Sequence, residues 1–229
     1  MRKMYTDGDY LEKSQTWHVE DSAWKAQHII KIINQNSIDP GTICEVGCGA
    51  GDILYQLYQT LPSTIEYSGF EISPQAYDLC KIRETDKIKY FMDDFCNVEK
   101  YYDIILLIDV IEHVENLFDF LRNIKRKAKY KIFHIPLEMF VFNIMKEKNL
   151  SKGLHHPGHI HFFTKEIALE ILRIEGYEII DYFYTPGFET CQPTLLSKVM
   201  YVPQKIVYRL NSNLGIRIFG GSSLLILTK

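Results

Sequence analysis

The sequence predicts an α/β fold in which a seven-stranded, mostly parallel sheet carries helices on both faces. The chain has 229 residues, of which 46% are hydrophobic, so it can bury one sizeable core without a second domain. Short β-rich runs alternate with helical patterns through most of the chain, which is typical of crossover connections between parallel strands. A glycine-rich turn at residues 47–51 joins the first strand to a helix. These observations place ligand binding at the carboxyl edge of the sheet.

Seven segments are predicted as strands because β-branched and aromatic residues are concentrated in them. The longest apolar run, Ile104 to Ile111, is interrupted by Asp109 and is too short to cross a bilayer, so we place it in a buried strand. In chain order the predicted strands are Thr42 to Val46, Ile65 to Phe70, Ile88 to Met92, Tyr102 to Ile108, Lys131 to Ile135, Tyr177 to Tyr184 and Ser223 to Thr228.

Five segments have the apolar spacing of amphipathic helices. Ser73 and Pro74 are a typical helix start, and Gly176 is a typical helix end. The predicted helices are Trp24 to Asn34, Asp52 to Thr60, Ser73 to Arg83, Val114 to Lys127 and Lys165 to Glu175.

The chain divides into one domain with appendages. We assign residues 1–40 to an amino-terminal lid and first helix, 41–184 to the core, 185–221 to an insertion and 222–229 to the last strand of the core. Trp17 and His18 of the lid are candidates for the substrate pocket, whereas Trp24 is expected to anchor the first helix.

The insertion contains Lys and Arg but no acid between Thr190 and Gly221, and its apolar residues recur at near-helical spacing. We favour a lid helix packed on its own domain. The alternative is peripheral membrane contact, or cover over a lipid-like substrate, through residues 190–217.

Composition limits the partners and the setting. The net charge of −3 and the pI near 6.2 give no general attraction to phosphate backbones, so nucleic acid is not an expected partner. The five cysteines include no Cys-x-x-Cys pair, which fits a reduced, cytoplasmic setting. The amino-terminal residues 1–17 lack the apolar core of a signal peptide.

The glycine turn indicates a ligand that approaches the backbone closely. Gly47, Gly49 and Gly51 occupy alternate positions, where a side chain would collide with the ligand. A nicotinamide-dependent oxidoreductase would space its third glycine differently. Glu45 precedes the turn and would repel a pyrophosphate, so it suits a cationic ligand.

Further acids end the next three strands. Glu71 follows the second strand, about 20 to 25 residues beyond the turn, where a carboxylate can accept both protons of a ribose diol. Asp93 and Asp94 end the third strand and Asp109 ends the fourth. Because parallel strands end at one edge, these acids are expected together.

This combination resembles the class I S-adenosylmethionine-dependent methyltransferases, especially the branch of ubiquinone-biosynthesis-type O-methyltransferases. The resemblance covers residues 41–184 and the final strand. It implies a Rossmann-like sheet of order 3-2-1-4-5-7-6 with the last strand antiparallel, and S-adenosylmethionine as the cofactor.

The resemblance also implies roles for individual residues. The glycine turn would hold the methionine portion, Glu71 the ribose, and Ile72 the underside of the adenine. Asp94 would meet the adenine amino group, with Asp93 as the next candidate, and the backbone amide of Phe95 would meet the ring. The full set assigned to the cofactor is Glu45, Gly47, Cys48, Gly49, Glu71, Ile72, Asp94, Phe95 and Asp109.

Asp109, His113 and His161 are predicted to lie near the transferred methyl group, because a hydroxyl acceptor needs a base and histidine titrates near neutral pH. Asp109, Glu112 and His113 are expected on one helical face. With His161 they would resemble the metal site of small-RNA 2′-O-methyltransferases. We favour packing and capping roles for them and predict no metal. A capping role for Asp109 also stays open.

The sequence therefore predicts methyl transfer from S-adenosylmethionine, to an oxygen of a small-molecule or of a lipid- or glycan-type acceptor. An N- or C-methyltransferase and a non-catalytic cofactor-binding protein remain open alternatives.

Overall fold

The computed structural model describes residues 19–146, 149–187 and 198–229. Two of the predicted pocket residues, Trp17 and His18, lie outside this range. The central part of the predicted insertion, residues 188–197, also lies outside it.

One seven-stranded sheet organises the described chain, with the order β3-β2-β1-β4-β5-β7-β6. Strands β1 to β5 pair in parallel, whereas β7 runs antiparallel between β5 and β6. The predicted order and the antiparallel last strand are thus confirmed. The strands are β1 Thr42–Val46, β2 Glu66–Glu71, β3 Ile88–Met92, β4 Tyr102–Ile108, β5 Ala128–Pro136, β6 Ile179–Pro186 and β7 Ser222–Thr228.

The helices cover both faces of the sheet. Their bounds are α1 Ser22–Gln35, α2 Asp52–Thr60, α3 Pro74–Cys80, α4 Leu117–Lys125, α5 Val141–Ile144, α6 Asn149–Gly153, α7 Lys165–Ile174, α8 Lys198–Leu210 and α9 Ser212–Phe219. The helix predicted over Val114 to Lys127 is shorter than expected, because a single 3-10 turn, Ile111–His113, comes first and Val114 is extended. No helix of the described residues is long and apolar enough to span a membrane.

The apolar core lies on both sides of the sheet, and β4 shows why. Its side chains alternate between the faces, so Ile105 and Leu107 join one buried cluster while Ile104 and Leu106 join the other. From Ile104 to Ile108 this strand is apolar at every position, and Asp109 follows it directly. The strand therefore delivers a polar side chain to the carboxyl edge of the sheet.

Candidate active site

A cavity of about 1280 Å³ opens at the carboxyl edge of the sheet. Residues following β1, β2, β3, β4 and β5 line it, together with the start of α1, the end of β6 and the start of β7. This is where open α/β sheets bind their ligands. All nine residues predicted to bind the cofactor line the cavity. Seven of them follow strands, whereas Glu45 and Glu71 belong to the last residues of β1 and β2.

The glycine turn is fixed to β2 by its backbone. The amides of Gly47 and Cys48 donate to the carbonyl oxygen of Phe70 at 2.8 and 3.1 Å. Gly51 adopts a φ of +76°, and a Cβ there would lie 2.7 Å from Cys80 and Tyr90. Only glycine fits this position, because both the conformation and the space exclude a side chain. The sequence pattern thus forms the tight strand-to-helix turn that it predicted.

Glu71 connects the turn to the end of β2. Its Oε2 accepts a hydrogen bond from the amide of Gly49 at 2.9 Å, and its Oε1 accepts two from the amides of Ile72 and Ser73 at 2.8 Å each. Burial raises the pKa of Glu71, and the three amides oppose that shift. A carboxylate has about four acceptor positions, so one remains for a ligand hydroxyl. The three amides therefore fix the side chain of Glu71 and leave one acceptor position for a ligand.

Glu45 is a buried carboxylate that lacks a full set of partners. Its Oε2 has no hydrogen-bond partner among the described residues, and only 2% of the residue is exposed. Burial raises its pKa well above the usual range, although Lys25 opposes the shift and Glu71 adds to it. A cationic group in the cavity would satisfy this carboxylate and favour its ionised form.

The third strand contributes a turn rather than a free acid. Asp94 lines the cavity, and its Oδ1 accepts from the amide of Cys96 at 3.0 Å, capping the turn Phe95–Asn97. Phe95 is buried beneath the cavity, whereas Ile72 is 39% exposed and lines it. The predicted adenine residues are therefore close to one another, and Asp94 also has the turn-forming role that its residue type favours.

Asp109 lies in a network that the sequence did not predict. Its Oδ2 lies 2.8 Å from Nζ of Lys25, and its Oδ1 lies 2.6 Å from Nδ1 of His134. Nε2 of His134 in turn lies 2.9 Å from the hydroxyl oxygen of Thr185. Burial alone would raise the pKa of Asp109, but Lys25 and His134 outweigh it and hold that pKa well below its usual range.

The expectation that Asp109, Glu112 and His113 share a helical face is wrong. Asp109 has a φ of +54°, so the chain leaves β4 in a left-handed conformation and forms only the 3-10 turn Ile111–His113. The position before α4 is taken by Asn116, so Asp109 does not cap that helix either.

The predicted catalytic histidines separate in the structure. His113 lines the cavity, whereas His161 is not among the described residues that line it. The Nε2 of His161 donates to the carbonyl oxygen of Val114 at 2.8 Å. His159 takes the place expected of His161. It lines the cavity, and its ring lies 4.7 Å from that of His113.

Two carboxylates complete this histidine cluster. His159 Nδ1 lies 2.6 Å from Oε2 of Glu138, and His113 Nδ1 donates to the carbonyl oxygen of Gly158 at 3.1 Å. Because a carbonyl oxygen can only accept, Nδ1 of His113 carries a proton, and in the neutral ring Nε2 is then an acceptor. Glu112 is fully buried, and neither of its carboxylate oxygens has a hydrogen-bond partner among the described residues.

The charges of this cluster suit a cation. Burial raises the pKa of Glu112 well above its usual range, and Asp109 adds to the shift. Burial and the neighbouring His159 lower the pKa of His113 to about 4, so His113 is neutral at pH 7. One ligand atom each from Glu112, His113 and His159 all lie within 4.8 Å of one another. A carboxylate with two imidazoles is a donor set that binds divalent ions.

Comparison with known proteins agrees with the fold and the cavity. These features define a Rossmann-like methyltransferase. Residues 21–182 match the family described as "Methyltransferase domain", and the chain belongs to that family. The membership confirms the resemblance in the sequence and decides against a nicotinamide-dependent oxidoreductase.

Two curated relatives are similar to the chain at low identity. The chain is 28% identical to the ubiquinone biosynthesis O-methyltransferase of Rickettsia typhi over 173 residues, which are 66% of this chain and 70% of that protein. It is 25% identical to the corresponding protein of Rickettsia bellii, and that match covers 52% of this chain and 55% of the relative.

Solved structures share the fold at low identity. A methyltransferase solved in complex with the Haloferax volcanii Trm112 methyltransferase activator has a TM-score of 0.70 at 14% identity, covering 100% of this chain and 96% of that one. Magnesium protoporphyrin IX methyltransferase from Synechocystis, with bound SAH, has a TM-score of 0.61 at 15% identity, with 90% and 82% covered. The N-methyltransferase NodS from Bradyrhizobium japonicum has a TM-score of 0.57 at 12% identity, with 89% and 84% covered.

Proposed function

We propose that this chain transfers a methyl group from S-adenosylmethionine to an oxygen of a small-molecule or of a lipid- or glycan-type acceptor. The observation that carries the donor assignment is Glu45, a buried carboxylate without a complete set of partners beside the glycine turn. The methionine portion of S-adenosylmethionine carries an ammonium and a sulfonium, and either cation near Glu45 would offset the desolvation of its charge.

The rest of the donor fits the same edge of the sheet. Glu71 keeps one acceptor position for a ribose hydroxyl, and Ile72 offers an apolar surface to a base. The neighbour from Synechocystis is described with bound SAH, which supports this choice of donor. The cofactor supplies an electrophilic methyl group, so the protein must chiefly align the acceptor and exclude water.

The histidine cluster supports an oxygen acceptor. His113 and His159 both line the cavity, and Nε2 of neutral His113 can receive a hydrogen bond from an acceptor hydroxyl and orient its oxygen. The curated relatives are named O-methyltransferases, which favours the same atom. The likeness to an N-methyltransferase keeps nitrogen as the second candidate, because this fold serves both acceptors.

A divalent cation fits the residues at this end of the cavity. Glu112, His113 and His159 would hold it, and Glu138 would orient the ring of His159. Such an ion supplies polarisation of a bound hydroxyl oxygen, which makes its proton easier to remove. Asp109 and His161, which belonged to the less favoured metal-binding alternative in the sequence, are bonded to other groups.

Two measurements test the proposal. Calorimetry should give binding of S-adenosylhomocysteine and none of NAD(H) or NADP(H). Transfer of a labelled methyl group should then be assayed with matched phenolic and amine acceptors, with the product linkage identified by mass spectrometry and NMR. Transfer only to nitrogen or carbon would contradict the oxygen assignment, and binding without turnover on any acceptor would favour a non-catalytic protein.

A further inference from the structure

Large apolar side chains are exposed on two helices beside the cavity. On α5 and the residue after it they are Val141, Phe142, Ile144 and Met145, and on α8 they are Val202, Ile206 and Leu210. We call these seven residues the rim surface. Leu210 is 82% exposed and Met145 is 73% exposed, so neither packs on the core. Exposed apolar groups gathered in this way are typical of interaction sites.

The rim surface adjoins the cavity through short contacts. Phe140 and Asn143 line the cavity at the start of α5, and Phe142 of the rim packs against Phe219 of α9 with ring centres 5.5 Å apart. On the other side, Gln204 of α8 donates to the carbonyl oxygen of Gly220 at 3.0 Å. The next residue, Gly221, lines the cavity. Both helices therefore border the part of the cavity where β5 ends and β7 begins.

The spacing on α8 produces an exposed stripe. Val202, Ile206 and Leu210 are four residues apart, so they lie on one face of the helix. Arg209 is exposed next to Leu210. Another side of α8 packs on the domain, where Tyr208 lies against the buried core and Gln204 bonds to Gly220. The stripe itself faces solvent.

The charge of this segment is opposite to that of the whole chain. The net charge of the chain is −3, yet residues 198–219 contain no acid. Their four basic residues are Lys198, Lys205, Arg209 and Arg217. Arg217 is paired with Glu166 at 2.9 Å, whereas Arg209 is exposed beside Leu210. A basic residue beside exposed apolar side chains matches the headgroups and acyl boundary of an anionic bilayer. A two-fold pairing of copies through this face would instead bring like charges together.

We propose that the rim surface binds an anionic membrane surface and so directs the cavity toward acceptors that reside in the bilayer. This inference rests on the proposed function. It narrows the methyl acceptor to a lipid that resides in the membrane. It also agrees with the helix lengths, since none of the described helices can span the bilayer and a peripheral contact needs no span.

Vesicle flotation tests the inference on the full chain. The wild type should float with vesicles of phosphatidylcholine and phosphatidylglycerol, less well with phosphatidylcholine alone, and less well as salt increases. The double variant Ile206→Glu/Leu210→Glu should bind the mixed vesicles about tenfold or more weakly, because two exposed apolar groups become charged. Arg209→Glu should weaken binding to the mixed vesicles and leave binding to phosphatidylcholine unchanged.

Ile82→Glu provides the matched control, because Ile82 is 80% exposed on the turn Lys81–Arg83, outside the rim surface. It should bind vesicles as the wild type does, and calorimetry with S-adenosylhomocysteine should show that every variant is folded. Equal vesicle binding by wild type and double variant would overturn the inference. So would a dimer that the double variant dissociates in sedimentation velocity while no form binds vesicles.

The inference and the proposed function fail separately. Methyl transfer to a short-chain, water-soluble acceptor tests the function without any membrane. If that transfer occurs and the protein never binds anionic vesicles, only the rim-surface inference is wrong.

Discussion

Replacing Glu71 with alanine tests how the sheet edge holds the cofactor. Glu71 accepts three backbone hydrogen bonds at 2.8 to 2.9 Å and keeps one acceptor position for the ribose. A charge-assisted hydrogen bond of this kind contributes about 1 to 3 kcal/mol, so the dissociation constant of S-adenosylhomocysteine should rise about 5- to 150-fold in calorimetry. The variant should also unfold more readily, because the amides of Gly49, Ile72 and Ser73 lose their acceptor.

The control for this experiment is Glu66→Ala. Glu66 is exposed at the opposite end of the same strand, so its loss should leave cofactor affinity unchanged. If Glu71→Ala and Glu66→Ala bound the ligand equally well, the assignment of Glu71 to the ribose would be refuted. Chemical denaturation separates the two effects, since affinity is measured on the fraction that remains folded.

Three further predictions concern Asp109, Glu112 and His113. Asp109→Asn should lower the free energy of unfolding at pH 7 by about 1 to 3 kcal/mol, at the lower end because the carboxylate is 30% exposed. The pKa of Asp109 is depressed in the folded state, so its contribution to stability is present above the unfolded pKa of about 3.9 and is lost as the pH falls toward the folded value. Denaturation of wild type and variant should therefore show a smaller difference in the free energy of unfolding at pH 3 than at pH 7. An equal or larger difference at pH 3 would contradict the ion pairs. His113→Ala should bind S-adenosylhomocysteine normally yet turn over more slowly in the labelled-methyl assay, and full activity would remove His113 from the acceptor site. Mn²⁺ or Zn²⁺ should raise the melting temperature of the wild type but not of Glu112→Gln, because only a bound ion stabilises the folded state; equal shifts would exclude Glu112 as a ligand.

The architecture was predictable because each of its signals is local. The strands Thr42–Val46, Ile88–Met92 and Tyr102–Ile108 and the helix Asp52–Thr60 have the predicted bounds. In each case polar or turn-forming residues flank a segment whose apolar residues recur with the spacing of a strand or of a helix. The glycine turn was equally clear, because the conformation of Gly51 excludes any other residue.

The acceptor end of the cavity was harder to predict because it depends on contacts between distant segments. Glu138 meets His159 across 21 residues, and neither belongs to a regular element. To predict that His159 rather than His161 lines the cavity, one must know the path of the loop that carries them. In that loop the ring of His161 bonds to the carbonyl oxygen of Val114. No spacing rule encodes that path.

Asp109 shows a second reason for failure. A helical periodicity placed it beside Glu112 and His113, but its left-handed backbone breaks the helix before it begins. Lys25 and His134 hold it there, and neither was singled out from the sequence. A lysine on a helix and a histidine in a strand have no local signal, because solvated and packed examples of both are common.

The central claim is that the glycine turn, Glu45 and Glu71 form a pocket for S-adenosylmethionine. A crystal structure with S-adenosylhomocysteine tests it most directly. We predict density for the ligand along the sheet edge, with its ammonium or sulfur next to Glu45 and a ribose hydroxyl on Glu71. A structure in which this pocket stays empty at saturating ligand, or holds a nicotinamide dinucleotide instead, would contradict the claim.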